Sequence, residues 1–158
     1  MRIIVMSDSH GNTFAVHKII DGNLSADMFI HLGDGEREMT LMKEKYPHLD
    51  IRCVRGNCDW NSSLPPMLVI DTEKARIFCT HGHRCYVKQG TELLLSTVRE
   101  NGCNIALFGH THQRYTSYED GIYIMNPGSC SQPRDFKKPS YGFIDITEAG
   151  IVTNIVEL

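Results

Sequence analysis

The six cysteines include no Cys-x-x-Cys pair, which argues against a zinc ribbon or a thioredoxin-type redox site. No hydrophobic run is long. The apolar stretch near the start, Ile3–Met6, is far too short for a signal-peptide core or a membrane span. An excess of positive charge is missing too: 16 Lys and Arg against 19 Asp and Glu leave a formal net charge of −3. No broad basic surface awaits a phosphate backbone, which excludes a nucleic-acid binder of the electrostatic kind. Repeats, low-complexity stretches and linkers are absent. With no export signal to point to an oxidising compartment, Cys53, Cys79, Cys85, Cys103 and Cys130 read as buried thiols of a cytoplasmic protein. Cys58 stands apart because of its neighbours.

At 158 residues the chain has the length of one domain, taken as residues 1–158. Its 41% hydrophobic and 22% charged residues match an average soluble globular protein and exclude a disordered chain, a collagen and a coiled coil. Strands are predicted at Arg2–Met6, Met28–Leu32 and Ile51–Val54, with helices at Thr13–Gly22 and Glu38–Lys45 between them. Continuous apolar strands alternating with helices point to a buried parallel sheet. Met67–Asp71 and Arg76–Thr80 then predict a strand pair around Thr72-Glu73-Lys74, Gly90–Gly102 a helix, and Asn104–Phe108 a strand. Ile122–Met125, Gly142–Thr147 and Ile151–Leu158 complete the strands. The fold class is α/β, with two packed sheets and helices outside.

Histidine is the unusual count, at 8. Ligand-type residues fall just after apolar strands: Asp8 and His10, then Asp34, then Asn57 and Asp59, then His81 and His83, then His110 and His112. In α/β sheets the carboxyl ends of the strands converge on one crevice, so these loops are expected to meet. Their oxygens and imidazoles form a mixed donor set suited to Mn²⁺, Fe²⁺, Co²⁺, Ni²⁺ or Zn²⁺ rather than to a thiolate site. Asp8, His10, Asp34, Asn57, His81, His110 and His112 are seven donors, too many for one four-coordinate ion. Two ions sharing a bridging carboxylate can use them all. Two metals about 3.5–4 Å apart are the usual clamp for displacement at phosphorus.

The ordered blocks Asp8-Ser9-His10, Gly33-Asp34, Gly56-Asn57-Cys58-Asp59, His81-Gly82 and Gly109-His110-Thr111-His112 resemble the calcineurin-like metallophosphoesterase family. The short length, His81-Gly82-His83 and Asn126-Pro127-Gly128-Ser129 with Pro133-Arg134 resemble its small YfcE-like phosphodiesterases of bacteria and archaea. The resemblance implies a four-layer α/β/β/α sandwich. It implies one metal on Asp8, His10 and His112, a second on Asn57, His81 and His110, and Asp34 bridging them. The activity implied is a phosphodiesterase using a metal-bridging hydroxide on a small phosphoester, with Mn²⁺ the expected ion. Two positions depart from the wider family: Arg37 stands where many members have Asp, and Cys58 where many have His.

Around those ligands, Cys58, Asp59 and His83 are the further candidates for catalysis together with Asn57. Asp59 is read as orienting an imidazole, His83 as a phosphate neighbour, and Arg134 as a surface residue rather than a phosphate contact. His17, His31 and His48 lie outside the blocks and read as surface or core residues. Trp60–Pro66 is read as an exposed stretch edging the cleft. A phosphomonoesterase or nucleotidase on the same metals is the alternative activity. A non-catalytic scaffold like the retromer subunit of this fold is a further one, and a thiol phosphatase using Cys58 lacks a phosphate-cradling loop. No membrane and no extended nucleic-acid surface is expected as a partner; a second copy of the chain is left open.

Overall fold

Along β1 (Arg2–Met6) alternate side chains face opposite ways, yet Ile3, Ile4, Val5 and Met6 are all buried. A strand buried on both faces needs a layer on each side. In the computed structural model, which describes residues 1–158, β1 sits at the centre of a five-stranded sheet. β2 (Met28–His31) and β3 (Ile51–Cys53) extend it in parallel on one side. β9 (Ser140–Thr147) and β10 (Gly150–Glu157) extend it antiparallel on the other. The second sheet contains β4 (Met67–Asp71), β5 (Arg76–Thr80), β6 (Ile105–Leu107), β7 (Arg114–Glu119) and β8 (Ile122–Pro127). Its order is β4-β5-β6-β8-β7, with β5, β6 and β8 parallel.

Ile3, Val5 and Ile30 of the first sheet meet Ile77, Cys79, Ile105 and Leu107 of the second in a core between the sheets. On the far side of the first sheet, Ile4, Met6 and Phe29 pack on Val16, Ile19 and Ile20 of α1 (Thr13–Asp21) and on Met39 and Met42 of α2 (Glu36–Lys45). On the far side of the second, Phe78 and Ala106 pack on Leu94, Leu95 and Val98 of α3 (Glu92–Glu100). The layers run α/β/β/α, as the resemblance implied. Phe29 and Phe78 are wholly buried, one in each outer core. Truncating either to alanine is worth about 3–5 kcal/mol of stability.

Local sequence misplaces a few elements, each for a physical reason. β7 went unpredicted because Arg-Tyr-Thr-Ser-Tyr-Glu is polar and half-exposed; pairing with β8 makes it a strand. α2 starts at Glu36 rather than Glu38, since Asp59 accepts hydrogen bonds from the Gly35 and Glu36 N–H groups and so caps the helix from another loop. The turn between β4 and β5 closes without glycine because Thr72 Oγ1 both donates to the Ala75 carbonyl and accepts from the Ala75 N–H. α1 is capped by Asn12, whose Oδ1 accepts from Ala15 N at 3.0 Å. No helix is long and apolar enough to cross a membrane.

The parallel strands of each sheet end together, and cross-sheet hydrogen bonds join those ends. His81 Nδ1 lies 2.7 Å from the Leu32 carbonyl, and His110 N donates to Asp8 Oδ2 at 3.1 Å. The crevice expected from the sequence is therefore built from both sheets.

Candidate metal centre

Each ligand-type residue stands where a parallel strand stops and the chain turns. Asp8 (φ 55°), His10 (φ 43°), Asp34 (φ 59°), His110 (φ 68°) and His112 (φ 59°) all adopt the left-handed region. Nine non-glycine residues of the chain do so, and five of them are in this one cluster. Each such placement costs about 1–3 kcal/mol and persists only where the surroundings over-determine it. The packing is tight enough to do so. A Cβ at Gly56 would run into the Asp34 carboxylate, and one at Gly35 into Ser9 Oγ and the His31 ring.

The Asp8 carboxylate is wholly buried. Its Oδ2 accepts from Ser7 Oγ at 2.6 Å and from His110 N at 3.1 Å. Its Oδ1 has no hydrogen-bond partner. That oxygen faces three imidazoles: His112 Nε2 at 3.2 Å, His10 Nε2 at 3.9 Å and His81 Nε2 at 4.0 Å. Asp34 Oδ2 lies 3.4 Å from His81 Nε2 and 3.7 Å from His10 Nε2, while its Oδ1 accepts from Cys58 N at 2.7 Å. His10 and His112 turn their Nε2 atoms to within 3.1 Å of each other.

The other ring nitrogens fix the tautomers. His81 Nδ1 and His112 Nδ1 each lie 2.7 Å from a backbone carbonyl, of Leu32 and Gln132 respectively. A carbonyl only accepts, so Nδ1 carries the proton and the Nε2 lone pair is left pointing inward, as in metal-binding imidazoles. Burial opposes charge on Asp8 and Asp34, but the neighbouring imidazoles and hydrogen-bond donors outweigh it and hold both below the usual carboxylate range. Burial, and then His81, push His110 down to about 4, which keeps its ring neutral at ordinary pH.

Three groups have donor atoms mutually within 4.8 Å: Asp8, His10 and His112; Asp8, Asp34 and His81; and His10, Asp34 and Cys58. An unpartnered buried carboxylate oxygen amid inward-facing imidazole lone pairs is an arrangement that a divalent cation completes. Asn57 Oδ1 lies 3.1 Å from His81 Nε2, and the His110 ring stands edge-on to His81 with centroids 5.1 Å apart. His83 stands beside both, 5.4 Å from His81 and 6.0 Å from His110, with its buried Nδ1 unpartnered. Burial, followed by His81, lowers its pKa. Arg134 is exposed and joins the site only through its N–H, which donates to the His112 carbonyl.

Residues 1–149 match the calcineurin-like phosphoesterase superfamily domain. The chain belongs to that superfamily. This phosphoesterase is 30% identical over 148 residues to the probable metallophosphoesterase YsnB of Bacillus subtilis, covering 92% of this chain and 85% of YsnB. It is 28% identical over 170 residues to phosphodiesterase YfcE of Escherichia coli K12, covering 92% and 88%. Among solved structures, a predicted phosphoesterase of Streptococcus pneumoniae superposes with a TM-score of 0.87 at 32% identity, over 99% of this chain and 88% of that one. Entamoeba histolytica Vps29 in its Zn²⁺ complex gives 0.76 at 20% identity over 99% and 98%, a likeness of fold. The protein is a metal-dependent phosphoesterase, a hydrolase.

Sequence reasoning missed the side chains that support this phosphoesterase site. Gly33 N donates to His31 Nδ1 at 3.2 Å, so His31 carries its proton on Nε2, which lies 3.1 Å from Ser9 Oγ. Ser9 Oγ donates to Glu38 Oε1 at 2.7 Å, and the same oxygen accepts from Gly11 N at 2.7 Å. Ser9, His31 and Glu38 are all buried. The chain of bonds clamps the backbone on both sides of His10. Its signal in the sequence is faint: an acid within a helix and a histidine at a strand end. Asp59, expected to orient an imidazole, instead spends its carboxylate on the N–H groups of Asp34, Gly35, Glu36 and Gly56 at 2.8–3.0 Å. It locks the loop after β3 to the loop after β2. Ser129 Oγ likewise donates to the Asp8 carbonyl at 2.7 Å.

Outer hydrogen bonds of this kind are worth about 10–100-fold in metal affinity or activity. Ser9→Ala and Glu38→Gln are therefore expected to weaken Mn²⁺ binding by that factor, read by calorimetric titration beside a thermal melt. Either variant binding Mn²⁺ like the wild type would show that the clamp does not hold His10.

Proposed function

We propose that this phosphoesterase is a phosphodiesterase acting on small phosphoesters with two divalent cations, Mn²⁺ the most activating. Asp8, His10 and His112 would hold one ion, Asn57, His81 and His110 the other, with Asp34 shared. The observation that carries the reading is the position of Asp34 Oδ2, 3.7 Å from His10 of one set and 3.4 Å from His81 of the other. When bound, such a pair lowers the pKa of water toward about 7, supplying hydroxide as nucleophile, and neutralises the phosphate oxygens.

The protein's own contribution is preorganisation. Asp8 and Asp34 keep their charge in a buried site because donors surround them. His81 and His112 are held in one tautomer by carbonyls. His83 stands beside His81 and His110, so its imidazole is the neighbouring side chain best placed to meet a phosphate oxygen at the centre. Cys58 Sγ belongs to the group with His10 and Asp34, and the residue is exposed. A non-catalytic scaffold has no need of a full donor set, whereas all seven positions here carry competent donors.

Dialysis against a chelator is expected to abolish hydrolysis of bis(p-nitrophenyl) phosphate, and Mn²⁺ to restore it with two ions per chain at saturation. A p-nitrophenyl monoester run in parallel separates the two activities. Full hydrolysis by the chelated protein, or restoration by one ion per chain, sinks the binuclear reading.

A further inference from the structure

The four most exposed large apolar side chains are all aromatic: Phe136 at 106%, Trp60 at 84%, Phe14 at 77% and Tyr86 at 66%. All four come in segments that leave the strand ends carrying the ligand-type residues. Each follows the carboxyl end of a parallel strand, and each is near a ligand block in the chain. Phe14 comes four residues after His10, Trp60 three after Asn57 and Tyr86 five after His81. Phe136 follows the segment in which Gln132 O meets His112 Nδ1 and Arg134 N donates to the His112 carbonyl. Rings left in water forgo the stabilisation of burial, so four of them in the segments that leave these strand ends ask for a use.

The backbone adds a second observation. Tyr86 (φ 52°) and Phe136 (φ 60°) are bulky residues in the left-handed region, and Asn61 (φ 57°), next to Trp60, is a third. With the five ligand positions they account for eight of the nine such residues; only Asp120, in the β7–β8 turn, lies elsewhere. Strain of this kind gathers at ligand clamps. Cations accompany the rings. Arg84, Arg55 and Lys88 are near enough to His83 or His110 to bear on their charge, and Arg55 Nη1 donates to the Ser62 carbonyl in the segment after Trp60.

We propose that Phe14, Trp60, Tyr86 and Phe136 form an aromatic rim that stacks on the nucleobase of a nucleotide-type phosphodiester whose phosphate reaches the metal centre. The proposal rests on the phosphodiesterase reading and names its substrate class. Separate rings on separate segments, Phe14 in the first turn of α1 and the others in loops, fit one small planar ligand better than a lipid tail, which needs a continuous apolar groove. The neighbouring cations match an anionic ligand, and the net charge of −3 disfavours a long polyanion. Base–aromatic stacking tolerates different bases, because every base has a π-face.

Trp60 is the chain's single tryptophan, so its fluorescence reports binding without turnover. Adenosine 5′-monophosphate is expected to quench it saturably, and ribose 5-phosphate to leave it unchanged. Tyr86→Ala or Phe136→Ala is expected to weaken that quenching about tenfold in Kd. In turnover, thymidine 5′-(p-nitrophenyl phosphate) is compared with methyl p-nitrophenyl phosphate, which has the same leaving group. The thymidine ester is expected to have about tenfold higher kcat/KM, carried by KM. Trp60→Ala collapses that ratio and Trp60→Phe keeps most of it. Equal kcat/KM for the two esters, or a ratio that survives all four alanine substitutions, overturns the rim as a base-binding device, including the case where it docks a protein instead. Quenching by the nucleotide without hydrolysis of either ester supports the rim and overturns the phosphodiesterase reading.

Discussion

Asp34→Asn is expected to lower kcat/KM on phosphodiesters about 10²–10⁴-fold while leaving the protein folded. The charge stabilisation supplied by a bound cation is worth several kcal/mol, and each 1.36 kcal/mol is tenfold in rate. Asp34 Oδ2 lies 3.4 Å from His81 and 3.7 Å from His10, nearer to each than Asp8 Oδ1 at 4.0 and 3.9 Å, so its charge would serve both proposed ions. Asparagine keeps the shape and can still accept from Cys58 N, which argues for an intact loop. The lowered pKa of Asp34 means that its charge stabilises the metal-free fold at neutral pH, so the variant should melt somewhat lower than the wild type while remaining folded. The rise in Tm on adding Mn²⁺ should shrink, since that rise follows the affinity of the folded state for the ion. Wild-type activity together with an undiminished Mn²⁺-dependent rise in Tm would falsify the shared-carboxylate assignment.

Cys58 carries the second large effect. A general acid contributes about 10²–10⁴-fold, most where the leaving group is poor. Cys58 stands where the family resemblance implies a histidine in many members, and a thiol is a weak hydrogen-bond donor. Burial, and then the hydrogen-bonded Asp34 carboxylate, push that thiol up to about 11. Wild-type kcat/KM is therefore expected to fall steeply as the leaving-group pKa rises, from aryl to alkyl diesters. Cys58→His should flatten the plot by raising the slow substrates more than the fast ones. Cys58→Ser should retain most aryl-ester activity if, as proposed, the nucleophile is hydroxide rather than sulfur. His83→Ala belongs in the same series, since His83 adjoins the centre from the His81–His110 side and is the other side chain able to deliver a proton there. A flat wild-type plot with chemistry rate-limiting means that an efficient acid is already present.

The ligand types were legible in the sequence because they sit in short blocks after apolar strands, where the chain has little freedom to hide them. Ile3–Met6 ahead of Asp8, Met28–His31 ahead of Asp34 and Ile105–Leu107 ahead of His110 each announce a strand end carrying a donor. The β4–β5 pair, the parallel strands β1, β2 and β3 and the helix-covered outer faces followed from apolar patterning, since β1, β2, β3 and β5 bury at least one face and β4 carries the half-buried Leu68, Val69 and Ile70. The fold family was legible from the order of the five blocks.

Tertiary structure alone decided the supports and the surroundings. Asp59 caps α2 from a different loop, and Glu38 reaches Ser9 and Gly11 from within a helix; partners 23 to 29 residues apart leave no periodic trace. β7 carries the strand-favouring Tyr115, Thr116 and Tyr118 but no apolar alternation, so only its pairing with β8 in the assembled sheet reveals it. Asp and His are among the non-glycine residues that visit the left-handed region most readily, yet that Asp8, His10, Asp34, His110 and His112 all adopt it is a property of the assembled loops. What the sequence determined by itself is which atoms can bind a cation, because that is written in side-chain chemistry. Which lone pairs point inward, and which rings stand around them, required both sheets to close on one another, because those directions are set by hydrogen bonds between segments far apart in the chain.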